Sequence, residues 1–303
     1  MQFRDLICTA GQVYAKDGHG RVAPVPSSNQ QVHELVRRHG LDSEDGIRRA
    51  REERGRDHLL VDEIFGRLRV SIMVTVDGPA VALRSIHAEA PTLDALGLQT
   101  DTQEGLLNLQ SGLALIAGTM GSGKTTTASA YVKSYLHKYG GSCVTLEDPP
   151  EVYLNGLHGN GVCEQCEVPS AKFAEEMVFL LRHAAPEVIF LGELREEKAA
   201  TEAVRAASNG HLVIATVHAG SVVETVSRMM AFLTSERGRM IFAEAVAGIV
   251  KQRLMISGNG NVKVREDTLF VNSAPNREAI RAVIRAGEQH KLSNEIEQQR
   301  FRR

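Results

Sequence analysis

The sequence predicts an α/β protein in which a parallel sheet is covered by helices on both faces and is preceded by a smaller unit that mixes helices and strands. Two observations support this fold class. From about residue 96 onward, short apolar runs alternate with segments of helical spacing, as is typical of parallel sheets. In that region a glycine-rich segment, residues 118–125, joins one apolar run to the start of a helix.

A chain of 303 residues is long enough for two domains, which we place at residues 1–95 and 96–303. The boundary falls in a loop-like stretch, residues 87–99, where an Ala-Pro-Thr sequence prevents a helix from forming.

The first domain contains one helix signal, one charged segment and one hairpin signal. Apolar spacing predicts a helix over residues 30–40, which ends on a glycine. The charge density of residues 43–58 predicts a helix face exposed to water. Residues 65–86 alternate between apolar and polar side chains around one turn, which predicts a β-hairpin. Arg69 and Arg84 lie on this hairpin, where they could reach a phosphate of another subunit or be ordinary surface arginines.

Four apolar runs predict the parallel strands of the second domain. They cover residues 113–117, 144–146, 188–191 and 212–217. Ligands of such sheets bind at the carboxyl ends of the strands, so the residues that follow each run form the candidate site.

The first of these strands leads into a phosphate-binding loop. Residues 118–125 fit the pattern G-x-x-x-x-G-K-[ST], and a predicted helix follows to about residue 138. Backbone N–H groups of such a loop bind phosphate oxygens, Lys124 would bring positive charge to the β- and γ-phosphates, and the Thr125 hydroxyl would ligate Mg²⁺. The loop therefore predicts ATP and Mg²⁺ as ligands. The residues expected to contact the nucleotide are Gly118, Thr119, Met120, Gly121, Ser122, Gly123, Lys124, Thr125 and Thr126.

Two carboxylates and an imidazole follow the other three strands, at positions 147, 193 and 218. They suit phosphoryl transfer to water, in which catalysis is mostly positioning and charge neutralisation. We predict that Glu193 orients the attacking water and takes its proton, while Glu147 holds a water of the Mg²⁺ shell and His218 senses the γ-phosphate. Thr125, Glu147 and Glu193 are accordingly the magnesium candidates, largely through water. For three further polar residues near these strand ends, a structural role is as good an explanation as a role in the site. They are Asp148, Glu151 and His211.

Composition and net charge limit the classes of partner that this protein is expected to bind. A net charge of −2 gives no general attraction to nucleic acid or to an anionic membrane. No apolar stretch approaches the roughly 18 residues of a membrane span, and the start of the chain lacks the pattern of a signal peptide, so we expect a cytoplasmic protein. Cys163 and Cys166 form one C-x-x-C without a second pair, which favours two small residues in a strand or loop over a metal or redox site.

Four segments, in this order, resemble the Walker A, aspartate-box, Walker B and histidine-box motifs of the type II/type IV secretion and pilus motor ATPases. They are residues 118–127 (GTMGSGKTTT), 145–151 (TLEDPPE), 185–195 (APEVIFLGELR) and 210–221 (GHLVIATVHAGS). Many P-loop enzymes have an aspartate where this chain has Gly192, but a Gly-Glu pair is usual in this family. A Gln-Arg-Leu motif at residues 252–254 is also similar.

This resemblance implies a homohexameric ring of subunits, each with a PAS-like N-terminal domain and a RecA-like ATPase domain, with ATP held between them. It implies that Arg69 and Arg84 approach the triphosphate. It also implies work on a membrane-embedded pilus or secretion platform, with peripheral attachment at the inner membrane. No direct contact with nucleic acid is expected. Residues 279–285 (AIRAVIR) are similar to a signature of pilus retraction ATPases, although an amphipathic helix that buries its isoleucines is an alternative explanation.

Two other functions stay open at this point. A nucleic-acid motor of the RecA class would share the sheet and the loop, but it would need a basic channel and stacking aromatics, and only 5% of the residues are aromatic, with no tryptophan. A regulatory subunit that binds nucleotide with little turnover is the second alternative. The intact Glu147, Glu193 and His218 argue against it.

Overall fold

The computed structural model of the protein describes residues 5–9, 12–16, 21–55, 57–86, 89–256 and 262–301. The chain divides into two compact units. Unit 1 comprises Met1–Glu89 and the short segment Asp148–Tyr153, and unit 2 comprises Ala90–Glu147 and Leu154–Arg303. The first segment of unit 1 ends close to the predicted boundary at residue 95. Nothing in the sequence predicted that the chain returns to this unit at residues 148–153.

The described part of unit 1 contains an antiparallel sheet of six strands and two helices. In chain order these elements are β1 (Asp5–Thr9), β2 (Gln12–Lys16), β3 (Val22–Pro24), α1 (Gln30–Arg38), α2 (Glu44–Arg54), β4 (Asp57–Asp62), β5 (Gly66–Thr75) and β6 (Gly78–Ser85). The strand order across the sheet is β3-β2-β1-β6-β5-β4. The predicted helices and the hairpin formed by β5 and β6 are confirmed, whereas β1, β2 and β3 were not predicted.

Local hydrogen bonds explain where the helices of unit 1 begin. The Asn29 side chain accepts a hydrogen bond from the Val32 backbone N–H at the start of α1, and Ser43 does the same for Gly46 at the start of α2. The charged helix α2 buries little beyond Ile47, as its composition predicts. Alternate residues of β5, among them Leu68 and Val70, face the core of the unit.

Asp62, at the end of β4, is a buried carboxylate with four partners. One oxygen accepts from the backbone N–H groups of Ile64 (2.9 Å) and Phe65 (3.0 Å), and the other faces the His39 ring (3.0 Å) and Arg38 (3.3 Å). Burial alone would raise the pKa of Asp62, but these hydrogen bonds and the charge of Arg38 lower that pKa below its ordinary value. The carboxylate therefore stabilises unit 1 in its ionised form.

We expect Asp62→Ala to lower the free energy of unfolding by about 2–4 kcal/mol at pH 7, since it leaves backbone donors without their acceptor. Because the folded pKa lies below the unfolded one, the stabilisation is present above about pH 4 and is lost as the pH falls through the lowered pKa. Urea unfolding at pH 7 and at pH 3 measures both effects. Asp45→Ala, at a side chain that is 85% exposed, is the matched control and should change little. Equal unfolding midpoints for parent and Asp62→Ala at pH 7 would contradict this role.

The described part of unit 2 contains an eight-stranded sheet with the order β14-β13-β7-β12-β11-β8-β10-β9. The strands are β7 (Gly112–Gly118), β8 (Gly141–Glu147), β9 (Gly156–His158), β10 (Gly161–Glu167), β11 (Val188–Leu191), β12 (Leu212–His218), β13 (Val246–Ile256) and β14 (Val262–Phe270). The helices are α3 (Thr100–Leu107), α4 (Lys124–Tyr139), α5 (Phe173–His183), α6 (Glu197–Ser208), α7 (Val222–Phe232), α8 (Glu236–Ala245), α9 (Arg277–Arg285) and α10 (Leu292–Phe301). The strands from β13 to β10 in this order pair in parallel, and antiparallel β14 and β9 flank them.

Helices cover both faces of this sheet. One face packs into a cluster that contains Leu113 and Leu115 of β7, together with residues of α5, α6, α7, α8 and α9. Successive side chains of a strand point to opposite faces, so Ala114 and Ile116 face the other side, where α4 packs against β7, β8, β11 and β12. The predicted α/β class is therefore confirmed. All four predicted strands lie next to one another in the sheet.

Helix α9 contains the segment that is similar to the retraction signature. It buries Ile280 and Ile284, and Val283 packs partly against the same cluster. This is the amphipathic packing that the sequence offered as an alternative explanation, so the spacing of the isoleucines alone gives no evidence for retraction.

The C-x-x-C pair lies in the sheet of unit 2. Cys163 and Cys166 lie on β10, and Cys163 faces Cys143 of β8 in register. Across those residues, no group of three or more His, Cys, Asp or Glu side chains could hold a metal ion. No helix in the described part of the chain has the length and apolarity needed to cross a membrane.

Candidate functional site

The candidate site lies where four neighbouring parallel strands end. The strands β7, β12, β11 and β8 are adjacent in that order, with His218 paired in register with Gly118 and Leu191 with Leu146. The residues that follow each strand therefore come to one edge of the sheet, as the sequence predicted. These four strands and the residues of the site belong to unit 2.

The loop from β7 to α4 is shaped by close backbone contacts. A Cβ atom at Gly118 would lie 2.6 Å from the Gln252 carbonyl oxygen, so only glycine fits there. Gly121 and Gly123 have φ of 72° and 82°, in the left-handed region that glycine enters without strain. The Gln252 side chain, on β13, donates a hydrogen bond to the Ser122 carbonyl oxygen (2.7 Å) and so ties the loop to the neighbouring strand.

Lys124, the first residue of α4, is buried, with 7% of its surface exposed. Its ammonium group donates to the Thr119 carbonyl oxygen at 3.0 Å and lies 3.4 Å from Nδ1 of His218. A lysine held in this way spans the loop and is directed toward the end of β12. Thr125 and Thr126 follow in the first turn of α4 and are half-buried, whereas Met120 is 88% exposed at the tip of the loop.

His218 connects the loop to the carboxylate after β11. Its Nε2 lies 3.1 Å from Glu193 Oε1, and the other Glu193 oxygen accepts from Arg195 Nη2 at 2.6 Å and Nε at 2.9 Å. These partners fit the neutral tautomer in which Nε2–H donates to Glu193 and Nδ1 accepts from Lys124. We call the resulting continuous series Lys124–His218–Glu193–Arg195 the strand-end relay.

The electrostatics of the relay favour a neutral imidazole. Burial lowers the pKa of His218 most, the charges of Lys124, Arg228 and Arg195 lower it further, and Glu193 offsets part of this effect. Near neutral pH the ring can therefore accept from Lys124 and donate to Glu193 at the same time. A γ-phosphate placed next to it would favour the protonated form.

Glu147, the last residue of β8, is 1% exposed. Its Oε1 accepts from the Thr145 hydroxyl at 2.9 Å and from the side-chain amide of Gln165 at 2.8 Å. A Cβ atom at Gly192 would lie 3.2 Å from Glu147 Cγ. Gly192 therefore lets the strand that leads to Glu193 pass close to Glu147, which gives a packing reason for glycine at a position where many P-loop enzymes have aspartate.

The remaining predicted residues have structural partners in the described residues. In unit 1, Arg69 and Arg84 face each other across β5 and β6. Arg69 lies 3.5 Å from Glu151 and 3.9 Å from Asp57, and the guanidinium of Arg84 donates to Asp5 at 2.6 Å, a contact that raises the pKa of Arg84. In unit 2, the His211 ring contacts the Pro186 carbonyl oxygen at 2.7 Å, which fits its structural explanation.

Two glutamines of the site were not predicted as site residues. Gln165 contacts Glu147, and Gln252 contacts the phosphate-binding loop. Gln252 lies in the Gln-Arg-Leu motif, which could have drawn attention to it. Gln165 lies in a strand, β10, that has no clear apolar alternation, so its sequence context gave no signal.

The donors present fit Mg²⁺. The Thr125 hydroxyl and the carboxylates of Glu147 and Glu193 are oxygen ligands of the type that this ion prefers. Mg²⁺ usually keeps several waters and binds phosphate oxygens, so a site with few direct protein ligands is consistent with it.

Known proteins show which family this chain resembles. The family described as "Type II/IV secretion system protein" matches residues 19–295. The uncharacterized protein YggR of Escherichia coli is 33% identical, over 92% of this chain and 83% of YggR. The type IV pilus ATPase PilU of Pseudomonas aeruginosa is 29% identical, over 95% of this chain and 75% of PilU.

A solved structure shows the same fold. The crystal structure of the pilus retraction motor PilT with bound ADP superimposes with a TM-score of 0.79 at 29% identity, covering 98% of this chain and 86% of PilT. This similarity confirms the predicted architecture, a RecA-like ATPase domain with a smaller N-terminal domain, and the names of these relatives agree with the predicted ATPase class. The chain belongs to the type II/IV secretion system protein family.

Proposed function

We propose that this protein is an ATP-hydrolysing motor that works as a homohexamer on a type IV pilus, in a retraction-like manner, or on a type II/IV secretion machine at the cytoplasmic face of the inner membrane. The strand-end relay carries this proposal, because it links the phosphate-loop lysine to a carboxylate at the adjacent strand ends. Such a link between a phosphate-binding cation and a candidate general base suits hydrolysis better than simple nucleotide binding.

Each residue of the site has a proposed role. Lys124 would leave the Thr119 carbonyl oxygen to neutralise the β- and γ-phosphates, and the backbone of residues 118–123 would bind their oxygens. Glu193 would orient the attacking water and accept its proton, with Arg195 and His218 fixing the carboxylate from either side. His218 would sense the γ-phosphate through a hydrogen bond. The roles of Arg69 and Arg84 toward the nucleotide remain predictions.

Mg²⁺ would supply charge neutralisation at the phosphates. The Thr125 hydroxyl would hold the ion directly, and Glu147 and Glu193 would hold it through water. The buried Glu147 accepts hydrogen bonds from Thr145 and Gln165, which fix the orientation of its carboxylate. Residues 1–95 would form the PAS-like domain and residues 96–303 the RecA-like ATPase domain. Opening and closing between them, driven by contacts to the γ-phosphate, would produce the work.

The proposal is tested with the purified full chain. We expect release of phosphate from ATP only when Mg²⁺ is present, and light scattering that gives six copies of the 33.0 kDa chain. The same assay is repeated with single- and double-stranded DNA at low and high salt. Turnover that is independent of DNA would support a protein-directed motor.

Other results would contradict the proposal. Stimulation by DNA that disappears with added salt would favour a nucleic-acid motor of the RecA class. ATP binding without turnover in the assembled ring would favour a regulatory nucleotide-binding subunit.

A further inference from the structure

Gln165 forms hydrogen bonds to two residues, Glu147 and Leu154, that are separated by the short segment 148–153. Its side-chain NH₂ donates to Glu147 Oε1 at 2.8 Å, and its side-chain oxygen accepts from the Leu154 backbone N–H at 3.0 Å. Its own backbone N–H donates to the Asn155 side chain at 3.0 Å. An amide that must donate on one side and accept on the other has only one orientation, so the bond to the carboxylate is fixed in direction.

The two residues that Gln165 joins flank the segment 148–153. Glu147 is the last residue of unit 2 before this segment, and Leu154 is the first residue after it, while the segment itself belongs to unit 1. Gln165 therefore links, within unit 2, the point at which the chain leaves this unit and the point at which it returns. Glu147 and Leu154 are both buried, so the bridge lies in a packed region rather than at a mobile surface.

We propose that Gln165 is a positioning residue for Glu147: it fixes the Glu147 carboxylate at the strand end and holds it in place while residues 148–153 remain with unit 1. This role rests on the proposed ATPase function. Thr145, the other donor to the same oxygen, lies in the same strand as Glu147 and moves with it. Gln165 is on the neighbouring strand β10, so it anchors the carboxylate from outside its own strand.

Gln165→Glu separates this role from a purely structural one. A carboxylate at position 165 can still accept from the Leu154 N–H, but it can no longer donate to Glu147, which it instead repels. We expect kcat to fall about tenfold or more, the effect of losing one charge-assisted hydrogen bond at a catalytic carboxylate, with KM for ATP within about twofold of the parent value. Glu164→Gln, at the exposed neighbouring position of β10, is the matched control and should keep parental kcat and KM.

The decisive measurement is a double-mutant cycle with Glu147→Gln, in which residual turnover is followed by release of labelled phosphate. If Gln165 acts through Glu147, Gln165→Glu should change kcat by less than about twofold in the Glu147→Gln background, because the new amide can donate to the new carboxylate. The free energies of unfolding of the same four proteins should also be non-additive. The loss of stability caused by Gln165→Glu should be smaller in the Glu147→Gln background than in the parent.

An equal loss of kcat from Gln165→Glu in both backgrounds would overturn the proposal while leaving the ATPase function intact. So would a parental kcat for Gln165→Glu. A parent chain that binds ATP without hydrolysing it would instead remove the proposed function, and the positioning role with it. The three outcomes are distinguished by the parent's turnover and by the coupling.

Discussion

Replacing Lys124 with alanine is expected to abolish ATP hydrolysis, with a fall in kcat/KM of about a thousandfold or more. Lys124 is buried, and its ammonium group lies between the Thr119 carbonyl oxygen and His218. Its removal takes away the side-chain cation of the loop and one end of the strand-end relay. Catalysis of phosphoryl transfer is mostly charge neutralisation and positioning, so both losses act on the same step. Phosphate release at saturating and at low ATP measures the effect.

A matched control variant tests whether the loss of turnover depends on the position of the lysine or only on the loss of one positive charge. Lys138→Ala removes an exposed lysine from the last turn of the same helix, α4, and should leave turnover unchanged. A far-UV circular dichroism spectrum like that of the parent would show that the Lys124→Ala variant is folded, so that lost turnover reports on the site. Turnover of Lys124→Ala equal to that of the parent would end the claim that this loop hydrolyses ATP.

Much of the second domain could be predicted because its signals are local. The phosphate-binding loop is defined by consecutive residues, and the strand β7 is buried along its whole length, so its sequence is continuously apolar. The carboxyl ends of parallel strands meet at one edge, so the positions of Glu147, Glu193 and His218 after their strands predict that they lie close together.

The parts that were missed depend on contacts between distant residues. β14 was missed for another reason: four of its nine residues are charged, so its apolar pattern is weak, although the Asn-Gly pair at residues 259–260 is a hairpin signal. Gln165 gains its role only from its register beside Thr145 of β8. The return of residues 148–153 to unit 1 likewise follows from tertiary packing and has no counterpart in the local sequence.

The sequence also could not predict which residues of the site form hydrogen bonds with one another. Glu193 and His218 were each predicted as site residues, but that His218 lies between Lys124 and Glu193 follows from the strand order, in which β12 separates β7 from β11. Sequence spacing does not determine that order.

Glu193→Gln is expected to bind ATP with an affinity within about threefold of the parent and to hydrolyse it about 10²–10⁴ times more slowly. Glutamine has nearly the same shape as glutamate, so its oxygen can still accept from Arg195, as Glu193 does at 2.6 Å. The amide cannot take a proton from the attacking water, and that loss acts on the chemical step alone. Titration with a fluorescent ATP analogue measures binding, and single-turnover phosphate release measures hydrolysis.

The contrast between binding and hydrolysis is what makes the Glu193→Gln result informative. Glu175→Gln, at an exposed position in the first turn of α5, makes the same chemical change away from the site and should affect neither quantity. Loss of ATP binding by a folded Glu193→Gln variant would mean that the carboxylate organises the nucleotide pocket and is not the base. Parental hydrolysis would transfer the role of base to another group, of which Glu147, buried at the adjacent strand end, would be the first to examine.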